Sequence, residues 1–180
     1  MAIFNTYIQQ ISFNGSLYSK GSVVNILTSF GIVCQEFPFQ RNPKLKELAS
    51  NDWYDENGLD VYIPNSPKVS HYDVNVIFLY KGTTSNIRTD LKNFTDFLQG
   101  RKKGANADTV QSARLAIYDE YVGFGRKDVV ATDIDNQLFY INDASIDALA
   151  QFKVKFTIYD PVTEVTPTTS QGVVTDLSFT

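Results

Sequence analysis

Four residue types are almost missing: the 180-residue chain has one cysteine, one histidine, one tryptophan and one methionine. A single cysteine, Cys34, excludes an intramolecular disulfide and any CxxC-type metal site. It sits in the run Phe30-Gly31-Ile32-Val33-Cys34 and reads as a small buried hydrophobe. Thiol catalysis would need a partner base, and His71 is the only histidine. His71 and Asp73 fall on one strand face, but a hydrolytic or metal site normally needs more ligands, so a surface histidine is the plainer reading. No stretch approaches the roughly 20 apolar residues of a spanning helix. The start, MAIFNTYIQQ, lacks the basic-then-apolar pattern of a secretory signal. These absences lead us to expect a soluble protein made in a cytoplasm, with no membrane partner. Formal net charge is -4, which weighs against bulk nonspecific nucleic-acid binding.

What is abundant is aromatic: thirteen phenylalanines and ten tyrosines within a 43% hydrophobic content. Such side chains suit a pleated, half-buried surface, so composition leans toward strands. The segment HYDVNVIFLY, 71–80, is the strongest strand. Period two puts Tyr72, Val74, Val76, Phe78 and Tyr80 on one face, expected to enter the core. FKVKFTIY, 152–159, alternates equally cleanly, with Phe152, Val154, Phe156 and Ile158 together. Further strands are expected at Val23–Leu27, Ile32–Phe39, Leu59–Ile63, Ala113–Tyr118, Asp128–Ala131 and Gln137–Ile141.

One helix stands out, over Asn86–Gln99. Ile87, Leu91, Phe94 and Leu98 form an apolar stripe, Asp90 lies near its start, and Gly100 stops it. Lys44–Ala49 has room for one helical turn. The fold class is therefore mainly β with one packed helix: a β-sandwich or a partly closed β-barrel. Residues 1–20 read as an N-terminal arm or a hairpin turning at Asn14-Gly15. Residues 21–161 read as the β-rich domain, and 162–180 as a C-terminal extension or final strand.

No motif carries chemistry. Asp52, Asp55, Glu56 and Asp60 do not match the EF-hand spacing, nor do Asp133 and Asp135, and both sets read as solvated turns. Gly123-Phe124-Gly125-Arg126-Lys127 lacks the phosphate-loop pattern and reads as a tight turn with exposed basic residues. Residues 101–112 read as a mobile loop whose Arg101, Lys102 and Lys103 form the densest basic run. That run is a solvated surface, a contact to an acidic neighbouring subunit, or a DNA-facing patch. We expect no catalytic residue, no cofactor and no metal.

The order of four segments is similar to a bacteriophage tail structural protein, closest to a distal tail protein or a tail-tube-like ring subunit. They are NDWYDENGLDVYIP (51–64), HYDVNVIFLY (71–80), the helix with FTDFLQG (94–100) and FKVKFTIYDP (152–161), within residues 45–161. An acidic residue and tryptophan before a dipeptide turn and strand map onto Asp52, Trp53, Asn57 and Gly58. The chain departs from the larger members in being too short for a second sandwich or carbohydrate-binding domain. The resemblance implies a hexameric ring in the virion tail, assembled in the bacterial cytoplasm and bound to neighbouring tail or baseplate proteins. DNA would pass through its lumen without specific binding. Trp53, Tyr54 and Tyr62 are then candidate interface anchors, against an equal reading as intrachain packing. A head-to-tail completion or terminator protein, a non-catalytic carbohydrate-binding module, and a hydrolase with an unrecognised carboxylate pair are the alternatives.

Overall fold

The computed structural model describes residues 4–39, 41–52, 54, 60–135, 139–140 and 149–180. The chain is mainly β, built on one large antiparallel sheet. Strands β1 (Thr6–Phe13) and β2 (Tyr18–Asn25) form a hairpin over Asn14-Gly15. The Asn14 side chain accepts from the Leu17 amide at 2.9 Å, and Gly15 takes φ 95, a left-handed value that suits glycine. The N-terminal segment is thus a hairpin inside the main sheet.

The expected strand over Val23–Leu27 stops early. Asn25 caps a one-turn helix, α1 (Ile26–Phe30), by accepting from the Leu27 amide at 3.0 Å. Gly31, at φ 65, closes it by donating back to the Leu27 carbonyl at 2.9 Å. β3 (Ile32–Glu36) follows. The chain then makes a long excursion through β4 (Ser50–Asn51) and β5 (Asp60–Val61) before β6 (Tyr72–Tyr80). No helix forms over Lys44–Ala49; Leu45 is instead bridged to Val69 in extended backbone. Helix α2 (Ile87–Leu98) comes next, with β7 (Arg114–Asp119), β8 (Phe124–Ile134), β9 (Phe139–Tyr140) and β10 (Ala150–Ile158) after it. A final hairpin, β11 (Val165–Ser170) with β12 (Val173–Phe179), is a separate sheet.

The main sheet runs β2-β1-β7-β8-β10-β6-β3, with β9 on β10. Its two edge strands, β2 and β3, are joined by α1 alone. Five helical residues rise only about 7.5 Å, so the sheet must curl to bring its edges together. No ladder joins β2 to β3 among the described residues, so the sheet is curled but open and does not form a closed barrel.

The helices fill the concave side. Phe94, Phe97 and Leu98 of α2 and Phe30 of α1 are fully or almost fully buried against Val76, Phe78, Phe152 and Phe156. Ring centroids of Phe78 and Phe94 lie 5.3 Å apart, and those of Phe94 and Phe152 6.0 Å apart, both edge-on. The expected inward faces of β6 and β10 are the ones buried. Two helices pack there, where periodicity pointed to one. On the convex side the β11–β12 hairpin covers β1, β2 and β7, burying Val165 and Leu177 on Ile11 and Ala116. The molecule is therefore layered like a sandwich over that half. We expect Phe94→Ala to cost about 3–5 kcal/mol, read as a lower denaturation midpoint at unchanged denaturant slope.

Candidate interaction surface

The excursion between β3 and β6 is a two-stranded ribbon. Lys46 donates to the Lys68 carbonyl at 2.7 Å, Ser70 to that of Lys44 at 2.9 Å and Tyr62 to that of Ala49 at 2.9 Å. β4 and β5 continue the pairing, Ser50 opposite Val61 and Asn51 opposite Asp60. These two strands pack chiefly on each other. The ribbon's apolar side chains are left in solvent: Leu45 is 56% exposed, Tyr62 72%, Ile63 69%, and Tyr54 fully so. A shallow groove of about 340 Å³ runs beside them, lined by Ala49, Asn51, Val61, Tyr62 and Ile63. A ribbon of two strands gains little burial of its own, and its aromatics stand in solvent.

The root of the ribbon is held by Arg126 of β8. The sequence pattern places Arg126 in an exposed basic turn; in the fold it is buried, only 1% exposed. One Nη1 donates to the Val162 carbonyl at 2.8 Å and to that of Thr163 at 3.2 Å. Nη2 donates to the Arg41 carbonyl at 3.2 Å. The guanidinium carbon lies 4.6 Å from the Phe124 ring centroid, and that of Arg41 lies 5.0 Å from it. One side chain therefore ties the sheet to the start of the ribbon and to the root of the C-terminal hairpin. Gly125 lets β8 lie close to β7, since a Cβ there would sit 2.3 Å from the Ile117 carbonyl oxygen.

The next residue, Lys127, is also mostly covered, with Nζ 3.3 Å from Asp160 and 4.5 Å from the Tyr18 ring centroid. Asp160 accepts from the Thr163 amide at 3.0 Å and hydroxyl at 2.7 Å. Burial raises its carboxyl, but these hydrogen bonds and Lys127 outweigh that and hold it below the ordinary 3.8. Asp176 of β12 behaves alike: burial opposes, while Lys20 at 2.9 Å and Gln9 at 3.0 Å prevail and depress it.

The basic run lies elsewhere, just past the C-terminus of α2, where the helix dipole favours cations. Arg101 and Lys102 are exposed and Lys103 is half-covered. The expected mobile loop is pinned instead. Asp108 accepts from the Ala105 and Ser22 amides, both at 2.9 Å, and from the Ser22 hydroxyl at 2.6 Å. Buried Gln10 donates to the Phe97 and Lys102 carbonyls, both at 2.8 Å, tying off the end of α2. Neither contact has a local sequence signal.

Of the candidate anchors, Tyr54 and Tyr62 are exposed on the ribbon, whereas Trp53 lies outside the described residues. No hydrogen bond or ion pair among the described residues brings these tyrosines to Arg101, Lys102 or Lys103. His71 is exposed, its ring stacked 6.2 Å from that of Tyr159. Asp73 is engaged by Lys155 at 2.8 Å and Thr157 at 2.6 Å. Cys34 is half-buried, and burial pushes its thiol well above the ordinary range. Asp52 and Asp60 sit on the ribbon, while Asp55 and Glu56 lie outside the described residues. Among the described residues, no three His, Cys, Asp or Glu side chains are grouped to hold a metal.

Comparison with family models, with curated proteins and with solved structures finds no match.

Two expectations follow from the Arg126 geometry. Arg126→Met removes the charged hydrogen bonds to the Val162, Thr163 and Arg41 carbonyls, each worth about 1.5–3 kcal/mol. Amide exchange in β11 and β12 should then accelerate at least about tenfold while α2 stays protected. Acid should act on the same region. Because Asp160 and Asp176 titrate lower when folded, their stabilisation is complete above the unfolded value near 3.8 and fades as pH falls through the lower folded values. Exchange measured from pH 6 down to about pH 3 should show the C-terminal hairpin opening before the helix-packed core.

Proposed function

We propose that this chain is a structural, non-enzymatic subunit of a phage tail ring. It self-associates, as a hexamer, around a DNA channel between tail tube and baseplate. The observation that carries this reading is the 41–70 ribbon, which exposes Leu45, Tyr54, Tyr62 and Ile63 while its root is locked by a buried arginine. A rigid root with an apolar, uncovered end is suited to packing on a neighbouring chain. In a closed ring every such end finds a partner, because each subunit presents both halves of the same interface.

The curled sheet with its helix-filled concave side supplies a stiff body for stacking. A net charge of -4 suits a lumen through which duplex passes without being held. The partners in this reading are further copies of the chain and neighbouring tail or baseplate proteins. Its place is the virion tail after assembly in the bacterial cytoplasm, away from any membrane.

Native mass by light scattering across a concentration series, with negative-stain images of the same samples, tests the proposal. Hexameric rings with an open centre wide enough for duplex DNA are expected. A monomer at every concentration overturns it. Tyr54→Ser with Tyr62→Ser should lower the ring fraction while leaving the melting temperature nearly unchanged, since exposed substitutions are worth about 0.5 kcal/mol or less.

A further inference from the structure

The outer face of α2 is a basic stripe. Arg88, Lys92 and Asp96 follow at four-residue spacing, so they lie along one side of the helix over about 12 Å. Arg101 and Lys102 extend the stripe beyond its end. One carboxylate serves two of them: Asp96 pairs closely with Lys92 and is 3.9 Å from Arg101. Arg88 and Lys102 are exposed and join no ion pair among the described residues.

The far part of the ribbon has the opposite character. Asp52 and Asp60 are exposed there beside Tyr54 and Tyr62, and neither acid forms an ion pair among the described residues. No hydrogen bond or ion pair joins these residues to α2 of the same chain among the described residues. The two surfaces match in chemistry. Carboxylates meet guanidinium and ammonium groups, and tyrosine faces accept guanidinium planes. They are also different patches of one molecule, as a head-to-tail contact requires.

We propose that the acidic, tyrosine-bearing end of the ribbon of one copy docks on the α2 basic stripe of the next, through Asp52, Asp60 and Tyr62 on one side and Arg88, Arg101 and Lys102 on the other. This rests on the ring reading and names the two surfaces that close it. Because the contact is heterologous, each subunit gives its ribbon to one neighbour and its helix to the other. Rim charges of this kind set the rate and direction of assembly, so association should weaken as salt rises.

Charge reversal tests the pairing. Two variants are made, Asp52→Lys with Asp60→Lys, and Arg101→Glu with Lys102→Glu. Alone, each should self-associate at least about tenfold more weakly than the parent chain, as like charges then face each other. Mixed in equal amounts they should recover the parent mass, because every ribbon again meets a stripe of opposite sign. That recovery also shows that both variants fold. Rings of parent mass from either variant alone would overturn the inference and leave the ring reading standing. Failure of the mixture to recover would overturn it as well. A parent chain that is monomeric throughout would sink both. If Arg101→Glu with Lys102→Glu keeps its mass but loses binding to a fluorescent DNA duplex, the stripe faces nucleic acid and the inference is wrong.

Discussion

The buried guanidinium of Arg126 is where three parts of the molecule meet. Taking a cation out of water is costly, and it is tolerated only where oxygen atoms converge on it. Here the carbonyls of Arg41, Val162 and Thr163 do so, over the face of Phe124. Those carbonyls belong to the start of the ribbon and to the approach to the C-terminal hairpin. Each segment also has an apolar anchor close by, Phe39 before the ribbon and Val165 at the start of the hairpin. Arg126 adds a polar tie to these apolar contacts, supported next door by the Lys127–Asp160 pair.

The two edges of the curled sheet are managed differently. At β2, Asp108 accepts from the Ser22 backbone and hydroxyl, so the loop after α2 lies along that edge and occupies it. Gln10 ties the same loop to the helix end. At β3, α1 turns the chain across from β2 within one helical turn. The interior between them is filled mainly by rings, with Phe78 touching Phe94, Phe152 and Phe156, and Phe94 touching Phe152. Such a body is stiff, and a stiff body lets a thin ribbon hold a defined direction. That is the link from packing to the proposed assembly role: Leu45, Tyr54, Tyr62 and Ile63 of the ribbon are among the apolar side chains left in water, with Leu17, Tyr121, Val162 and Val173 exposed elsewhere.

Local patterns were enough for β6, β10 and α2, because period two and period 3.6 are properties of consecutive residues. At Asn14-Gly15 the turn dipeptide left a hairpin and an extended arm equally open, and the pairing of β1 with β2 decides for the hairpin. The capping pair Asn25 and Gly31 could have exposed α1, but five residues are too few to show a helical period, and the β-branched run before them reads as strand. Tyr54, Tyr62, Arg101 and Lys102 are exposed, and Trp53 lies outside the described residues. Arg126 was misread because its partners are 36, 37 and 85 residues away, and nothing near Gly125 announces them.

By itself, then, the chain determined its β-rich class, its main helix, its inward faces and the absence of a cysteine framework. Each of these follows from composition or from spacing between near neighbours. Tertiary structure alone decided that the sheet curls but stays open, that the last hairpin covers its convex side, and that a basic turn becomes a buried fastening. Each of those outcomes depends on atoms brought together from distant parts of the chain, where the desolvation of one charged group is balanced only once all its oxygen partners have arrived.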